Sequence, residues 1–292
     1  MKISVIVTNW NGKKILQKNL ETIIKNSPEA DEIILADDCS EDESISFVKE
    51  LQKKYKKLFL VSHKKNLGFG ANTNDAVKRA KGDLVVLLNN DIHPYLGYIK
   101  NSLKHFKNQD VFGVGFAEKK HENWARFMWK GGYLQHEPGL TNIKKTHISG
   151  WVSGGSSIVR KSIFQKLGGF DSVYKPFYSE DLDMGYRAWK SGYTLLWEPK
   201  CIVEHHHETT MSKFSKSLLN YVKERNRLLN TWRLIDDPIF LKQNKIAQVG
   251  RVLSGPNYIK IIRAAKKQIK KSSPPIVFPK LTDREIFKMF EK

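Results

Sequence analysis

A chain of 292 residues with 40% apolar side chains can bury a sizeable core, which excludes a disordered or fibrous protein. Two cysteines, Cys39 and Cys201, are too few for a disulfide framework and lie in no zinc-binding spacing, and no run of about 18 apolar residues is present to span a bilayer. The net charge of +20 favours anionic partners, and it is uneven: residues 211–292 carry 19 Lys/Arg against 6 Asp/Glu.

From Met1 the chain enters a strand-like run at once, without a basic and apolar leader, so a reducing, cytoplasmic setting is expected. The first third alternates β-rich runs with helical patterns: "KISVIVTNW", a helix over 13–26, "DEIILADD", a helix over 41–55, "KLFLVSH", a helix over 70–80, and "GDLVVLLNND". Such alternation predicts βαβ units and a parallel sheet. Three of the runs end in oxygen-bearing side chains, at Thr8/Asn9/Asn11, Asp37/Asp38 and Asn89/Asn90/Asp91. Ligands of open parallel sheets sit beyond the carboxyl ends of the strands, so the three clusters are expected to meet at one crevice.

Beyond Pro94 the pattern continues with a helix to about Lys107 and the strand "VFGVGF". Residues 118–150 lose periodicity and read as loops or a small hairpin insertion. Regular signals return in "GWVSGGSSIVRKSIFQKLGGFD", a strand and short helix closed at Gly168/Gly169, then in a helix after Ser179 and the strand "TLLWEPKCIVEHHH". From about 212 basic helices follow, broken near Pro238 and near Gly255/Pro256. The helix over 257–271 carries Tyr258, Ile261, Ile262, Ala265 and Ile269 at helical spacing, with Lys and Arg opposite. "SSPPIVFP" then leads to a short terminal segment.

Taken together, "ISVIVTNWNG", "EIILADDCSED", "NLGFGANTN", "GDLVVLLNNDI", "VSGGSSIVRKSIFQKLGGFD", "FYSEDLDMGYRAWKSGY" and "VEHHH" resemble the family 2 glycosyltransferases in order and spacing, most closely the rhamnosyltransferase-like branch. The resemblance implies a GT-A fold: a Rossmann-like mixed, mainly parallel α/β sheet flanked by helices. A glycosyltransferase domain would occupy 1–230, with a nucleotide-binding half to about 115 and an acceptor-binding half over 116–210, and a basic helical extension would occupy 231–292. It also implies an inverting, metal-dependent enzyme of cell-surface polysaccharide synthesis. The donor would be a nucleotide diphosphate sugar, dTDP-rhamnose or a UDP-sugar, and the acceptor a glycan or lipid-linked glycan.

Such transfer needs a grip on the nucleoside, neutralisation of the leaving diphosphate and a base for the acceptor hydroxyl. For the grip, the resemblance points to Thr8, Asn9 and Trp10, and to Asp37 or Asp38 accepting from a pyrimidine N–H. Trp10 as a core aromatic, and the two aspartates as caps of the next helix, are the structural alternatives. Asn66, Gly68 and Gly70 let the chain pass close to the nucleotide, and Asn89 and Asn90 are expected near the ribose. Asp91 is the expected ligand of Mn²⁺ or Mg²⁺, a hard cation that takes oxygen donors. Many relatives have a second aspartate where this chain has the uncharged Asn89. His205 would complete the metal's shell, with His207 as the fallback.

Asp181 takes the position of the catalytic base, with Glu180 orienting it or binding acceptor hydroxyls. Taken alone, "SEDLD" also reads as Ser179 capping a helix with acids in its first turn. Asp183 and Arg187, four apart, fit a structural ion pair. Gly154, Gly155 and Ser156 are expected beside the donor sugar or acceptor, or form a structural bulge, and Arg225, in "YVKERNRLL" whose Arg-Asn pair also resembles the family, is a candidate for the diphosphate or part of a solvated basic helix face. The helix over 257–271 is either a solvated face on a packed helix or an element lying on the anionic inner face of the cell membrane. No nucleic-acid module is recognisable, although a nucleic-acid-binding protein with a basic tail is one rival reading. A sugar nucleotidyltransferase is the other, and "VTNWNG" lacks its Gly-rich, basic phosphate loop.

Overall fold

The computed structural model describes residues 1–119, 124–139, 144–205 and 214–291. Its centre is a mixed sheet built on β1 (Ile3–Asn9), β2 (Glu32–Asp37), β3 (Leu58–Ser62) and β4 (Leu84–Asn89). These four pair in parallel in the order β3-β2-β1-β4. Next come β10 (Ser156–Arg160), β6 (Val111–Glu118), β11 (Thr194–His205) and β5 (Ile92–Pro94). β10 runs antiparallel to both neighbours, and β5 and the short β9 (His147–Ile148) run antiparallel to β11, so the sheet is mainly parallel with three reversed strands, as the resemblance implies.

Both faces of the sheet are apolar, because helices cover both. On one side α1 (Lys13–Asn26) and α2 (Ser44–Lys54) meet Val5, Val7, Ile33 and Leu35. On the other, α3 (Phe69–Arg79), α5 (Lys161–Lys166) and α6 (Glu180–Lys190) close over Ile6, Ile34, Val85 and Leu87. This two-sided burial is why the strands read as unbroken apolar runs. The region that loses periodicity contains a hairpin, β7 (Ala125–Lys130) and β8 (Tyr133–Pro138), turned by Gly131 and Gly132 at positive φ. The helix expected up to Lys107 is a single turn, α4 (Lys100–Leu103), continued by a 3₁₀ segment over Lys104–Lys107.

The basic C-terminal region is folded onto the rest. α7 (Lys216–Leu234) contributes Leu228 and Leu229 to a cluster that takes up Tyr258 and Ala265 of α9 (Tyr258–Lys270), with Ile261, Ile262 and Ile269 packed against it. The apolar stripe of α9 therefore faces the protein and not a membrane, and the solvated-face alternative is the one observed. Beyond the Pro-rich break, α10 (Asp283–Phe290) starts in a capping box of Thr282 and Glu285 and buries Ile286, Phe287 and Phe290 in the main core. The expected boundary at 230/231 thus falls within one shared core.

Candidate active site

Register brings the three polar strand ends to one level. Thr8 pairs with Asn89, and Asn9 with Asp37, so the ends of β2, β1 and β4 lie side by side. The buried Asn9 ties them together: its Nδ2 donates to Asp37 Oδ2 at 2.8 Å, and its Oδ1 accepts from Asn90 Nδ2 at 2.7 Å. Asp37, fully buried, also accepts from the amide and hydroxyl of Ser40. Asp38 receives the amides of Leu67 and Gly68 at 2.7 and 2.8 Å, and Asn66 spans the same turn, accepting from Gly68 N and donating to Asp38 O. Asp37 thus accepts three hydrogen bonds from within the fold and Asp38 two. They fix the crevice wall and the 66–70 loop, and neither cap of a following helix is formed. Trp10, 40% exposed at the rim, is not a core aromatic.

Asn11 and Cys39 adopt positive φ at the turns after β1 and β2. Left-handed backbone in residues other than glycine costs roughly 1–2 kcal/mol each, and such strain concentrates where a site dictates the path of the chain. The strand end at β4 is equally crowded. A Cβ on Gly155 would stand 2.4 Å from Asn89 Nδ2, so the Asn89 side chain takes this place only because that residue is glycine. Asn89 also accepts weakly from Thr8 Oγ1 at 3.4 Å and donates its amide to Gly155 O. Gly154 packs against Phe69 and Phe170, while Ser156 is buried and donates to Glu118 Oε1 at 2.8 Å. Gly70 likewise lies close to Phe170.

Asp91 follows β4 and faces His205, because β5 and β11 pair with Ile92 opposite His205. His205 Nε2 is 3.1 Å from Asp91 Oδ1, and Nδ1 is 3.3 Å from Glu118 Oε2. Burial disfavours a charged imidazole, yet the two carboxylates outweigh it and hold His205 up to about 9. The Asp91–His205 contact is close enough for an ion pair but not aligned as a hydrogen bond, so Asp91 Oδ1 is buried with no hydrogen-bond partner. Among the described residues no three His, Cys, Asp or Glu side chains form a ready-made metal cage. Asp91 and His205 supply two donors, and His206 and His207 lie outside the described residues.

Glu180 and Asp181 open α6, and the approach to them is unusual. Tyr178 and Ser179 are consecutive left-handed residues, and the Ser179 side chain caps nothing. The bend is held from α7: the fully buried Asn226 donates to the carbonyls of Phe177 and Tyr178 at 3.0 and 2.7 Å. Arg225, the diphosphate candidate, does not reach the crevice. Its buried guanidinium donates to the carbonyls of Tyr174 and Lys175 and to Asn226 Oδ1. Burial, and then the charge of Asp181, push Glu180 up to about 8. Asp181 is also raised by burial, but backbone amides, among them Leu182 N at 2.8 Å, pull against the rise. Glu180 lines a small cleft whose far wall is Gly68–Ala71, which joins the loop held by Asp38 to the head of α6. One turn and two turns along, Asp183 and Arg187 form the expected ion pair, fully buried and closed by Tyr174 Oη at 3.0 Å.

Three residues here escaped sequence reasoning. Glu118 ends β6 in the same way that the recognised carboxylates end theirs, a signal that was available. Ser40 carried no signal of its own, and Asn226, although it belongs to an Arg-Asn pair that resembles the family's, acts through carbonyls 49 and 48 residues away.

Residues 4–168 match the profile of "Glycosyl transferase family 2", and residues 134–233 that of "Glycosyl transferase family group 2". A Poly(ribitol-phosphate) beta-glucosyltransferase of Bacillus spizizenii is 33% identical over 100 residues, 33% of this chain and 16% of that protein. An N-acetylglucosaminyl-diphospho-decaprenol L-rhamnosyltransferase of Mycobacterium tuberculosis is 38% identical over 85 residues, 28% of this chain and 25% of that protein. The matched stretch is thus at most a quarter of the length of either relative. Among solved structures, a mannosyltransferase from Pyrobaculum calidifontis in complex with GDP-Man and Mn²⁺ superposes with a TM-score of 0.59 at 15% identity, over 92% of this chain and 80% of that one. The fold is GT-A.

Proposed function

The chain belongs to glycosyl transferase family 2, and from that premise we propose that it transfers a sugar, with inversion, from a nucleotide diphosphate donor to a glycan acceptor. The observation that carries the reading is Asp91 Oδ1, a buried carboxylate oxygen with no aligned hydrogen bond, paired with an imidazole nitrogen 3.1 Å away. That separation is close to the ~3.0 Å edge of an octahedron with bonds of ~2.1 Å, and a hard cation needs only one or two protein ligands when diphosphate and water complete its shell. Asp91 and His205 therefore fit a divalent ion. When bound, that ion would neutralise charge on the departing diphosphate.

Trp10 stacks on the base from the rim, while Thr8, Asn9, Asn89 and Asn90 shape the floor on which the ribose rests. Asp37 and Asp38 act one step back, by fixing Asn9 and the 66–70 loop. At the head of α6, Asp181 takes the proton from the acceptor hydroxyl as its oxygen bonds the anomeric carbon. The bond from that carbon to the diphosphate oxygen breaks, and its electron pair leaves with the nucleotide. Neutral Glu180 donates a hydrogen bond to the acceptor. In this reading the two adjacent carboxylates take opposite roles, Glu180 holding its proton and Asp181, whose rise the backbone amides oppose, accepting one.

The donor is dTDP-rhamnose or a UDP-sugar, and the acceptor is lipid-linked, in keeping with the name of the mycobacterial relative. Transfer would then take place at the cytoplasmic face of the membrane. A screen of nucleoside diphosphates and their sugars with and without Mn²⁺ tests the reading, since a ligand bound only by the native state raises the melting temperature. One nucleotide should stabilise the protein in a Mn²⁺-dependent way, and Asp91→Ala should remove that dependence together with transfer. Full activity in excess EDTA would overturn the metal assignment.

A further inference from the structure

One face of α8 (Pro238–Ser254) carries four exposed aliphatic side chains. Ile239, Ile246, Val249 and Leu253 are 54%, 65%, 60% and 79% exposed. At 100° per residue they fall within an arc of roughly 80°, and Lys242 lies inside that arc with Lys245 about 40° beyond its edge. The opposite face is anchored. Phe240 stacks on Trp129 with centroids 4.7 Å apart, and the buried Asn244 donates to Gly132 O at 2.7 Å and accepts from Trp232 Nε1 at 2.8 Å. The stripe is therefore held outward by a rigid helix, and it is not the inner side of a loosely docked one. At its C-terminal end the helix borders an open cavity of about 500 Å³ lined by Tyr221, Glu224, Arg251, Tyr258 and Lys260, away from the stripe.

Charge selects the occupant. From Pro238 to Thr282 the sequence has no Asp or Glu and ten Lys/Arg. A second copy of the chain meeting this face through a two-fold axis would set Lys242 and Lys245 against their own equivalents, with no acid on the helix to relieve them. Nucleic acid would answer the charge but leave four aliphatic side chains uncovered. An anionic bilayer answers both: aliphatic side chains enter the acyl boundary while lysines reach up to phosphate. We propose that the outer face of α8, through Ile239, Ile246, Val249 and Leu253 with Lys242 and Lys245, docks the protein on an anionic lipid surface. This assigns the surface to α8 and not to α9, whose apolar stripe is used up inside.

The inference rests on the surface alone and stands or falls without the transferase reading, because vesicle binding is measured with neither donor nor acceptor. Full-length protein should sediment with phosphatidylcholine vesicles containing roughly a third phosphatidylglycerol, and at least roughly tenfold less with pure phosphatidylcholine. Ile246→Glu with Leu253→Glu, at exposed positions and with an unchanged melting temperature, should reduce binding to the anionic vesicles by roughly tenfold or more. Lys242→Gln with Lys245→Gln should reduce it severalfold and flatten its salt dependence. Unaltered vesicle binding in the first variant overturns the proposal. So does a concentration-dependent dimer of the wild type that the same variant abolishes, since that would assign the face to a second copy.

Discussion

Replacing Glu180 by Gln isolates one proton. In the unfolded chain the carboxyl titrates at its ordinary value of 4.5, whereas in the folded protein burial and the charge of Asp181 raise it to about 8. Between those values the native state binds more protons than the unfolded state, so stability falls as pH rises. The contribution is intact below 4.5 and fully lost above about 8. At about 1.4 kcal/mol per pKa unit the interval sets a ceiling near 5 kcal/mol. Partial exposure and the charge shared with Asp181 bring the effect down to on the order of 1–3 kcal/mol. Glutamine keeps the shape and the donor but has no charge to bury. Glu180→Gln should therefore melt several degrees higher than wild type near pH 9 and no higher near pH 4, at about 2–4 °C per kcal/mol. Its transfer rate at neutral pH should stay within about tenfold of wild type, since the amide still donates. A melting difference that does not change with pH would show that Glu180 is not held neutral by its surroundings and would remove its role as donor.

Asp181→Asn should cut transfer by ~10²–10⁴-fold while the nucleotide-induced melting shift persists, and retained turnover would exclude it as the base. Asn226→Ala strips the donors from the buried carbonyls of Phe177 and Tyr178, which costs ~2–4 kcal/mol and lets the left-handed pair before Glu180 relax. Its kcat should fall with the donor KM little changed, and a loss confined to donor affinity would contradict a role in placing α6. Gly155→Ala puts a Cβ 2.4 Å from Asn89 Nδ2 and should destabilise by ~1–3 kcal/mol. Asn89→Ala in the same chain should recover most of that loss, and strictly additive effects in the double variant would mean that the two residues do not touch.

What the sequence reveals of this site follows from how local each signal is. β1 to β4 end where their apolar runs end, so Thr8, Asn9, Asp37, Asn89 and Asp91 were legible as strand-end groups, and parallel pairing carried them to one edge. Their engagement was not legible. Asp37 and Asp38 have the composition of free acceptors, but whether Asn9, Ser40 or Gly68 fills them depends on chain separated by up to 30 residues. β5, three residues long, is too short for any periodicity, yet its pairing with β11 is what puts Asp91 opposite His205. Arg225 and Asn226 were visible as a motif, and the chemistry of an exposed Arg suggested a phosphate. Helix packing instead turned both side chains onto the 174–178 loop.

The C-terminal third links these observations. Its basic residues look like a tail in the sequence, but its inward side chains build the site: α7 holds the bend before Asp181, α9 covers α7, and α10 closes the main core. Asp283, fully buried, accepts from Tyr186 Oη and from the amides of Asp236 and Asp237, and pairs with Lys190 of α6. The same helix that presents Glu180 and Asp181 is thus tied at its far end to the last helix of the chain. Two demands then fall on one segment. Packing fixes which side chains point inward, and the outward ones are left to carry charge, so a region can be strongly basic without being either flexible or separate. Truncation within 257–292 would therefore remove support from the base along with charge from the surface. For that reason the surface is better probed at exposed residues of α8 than by deletion.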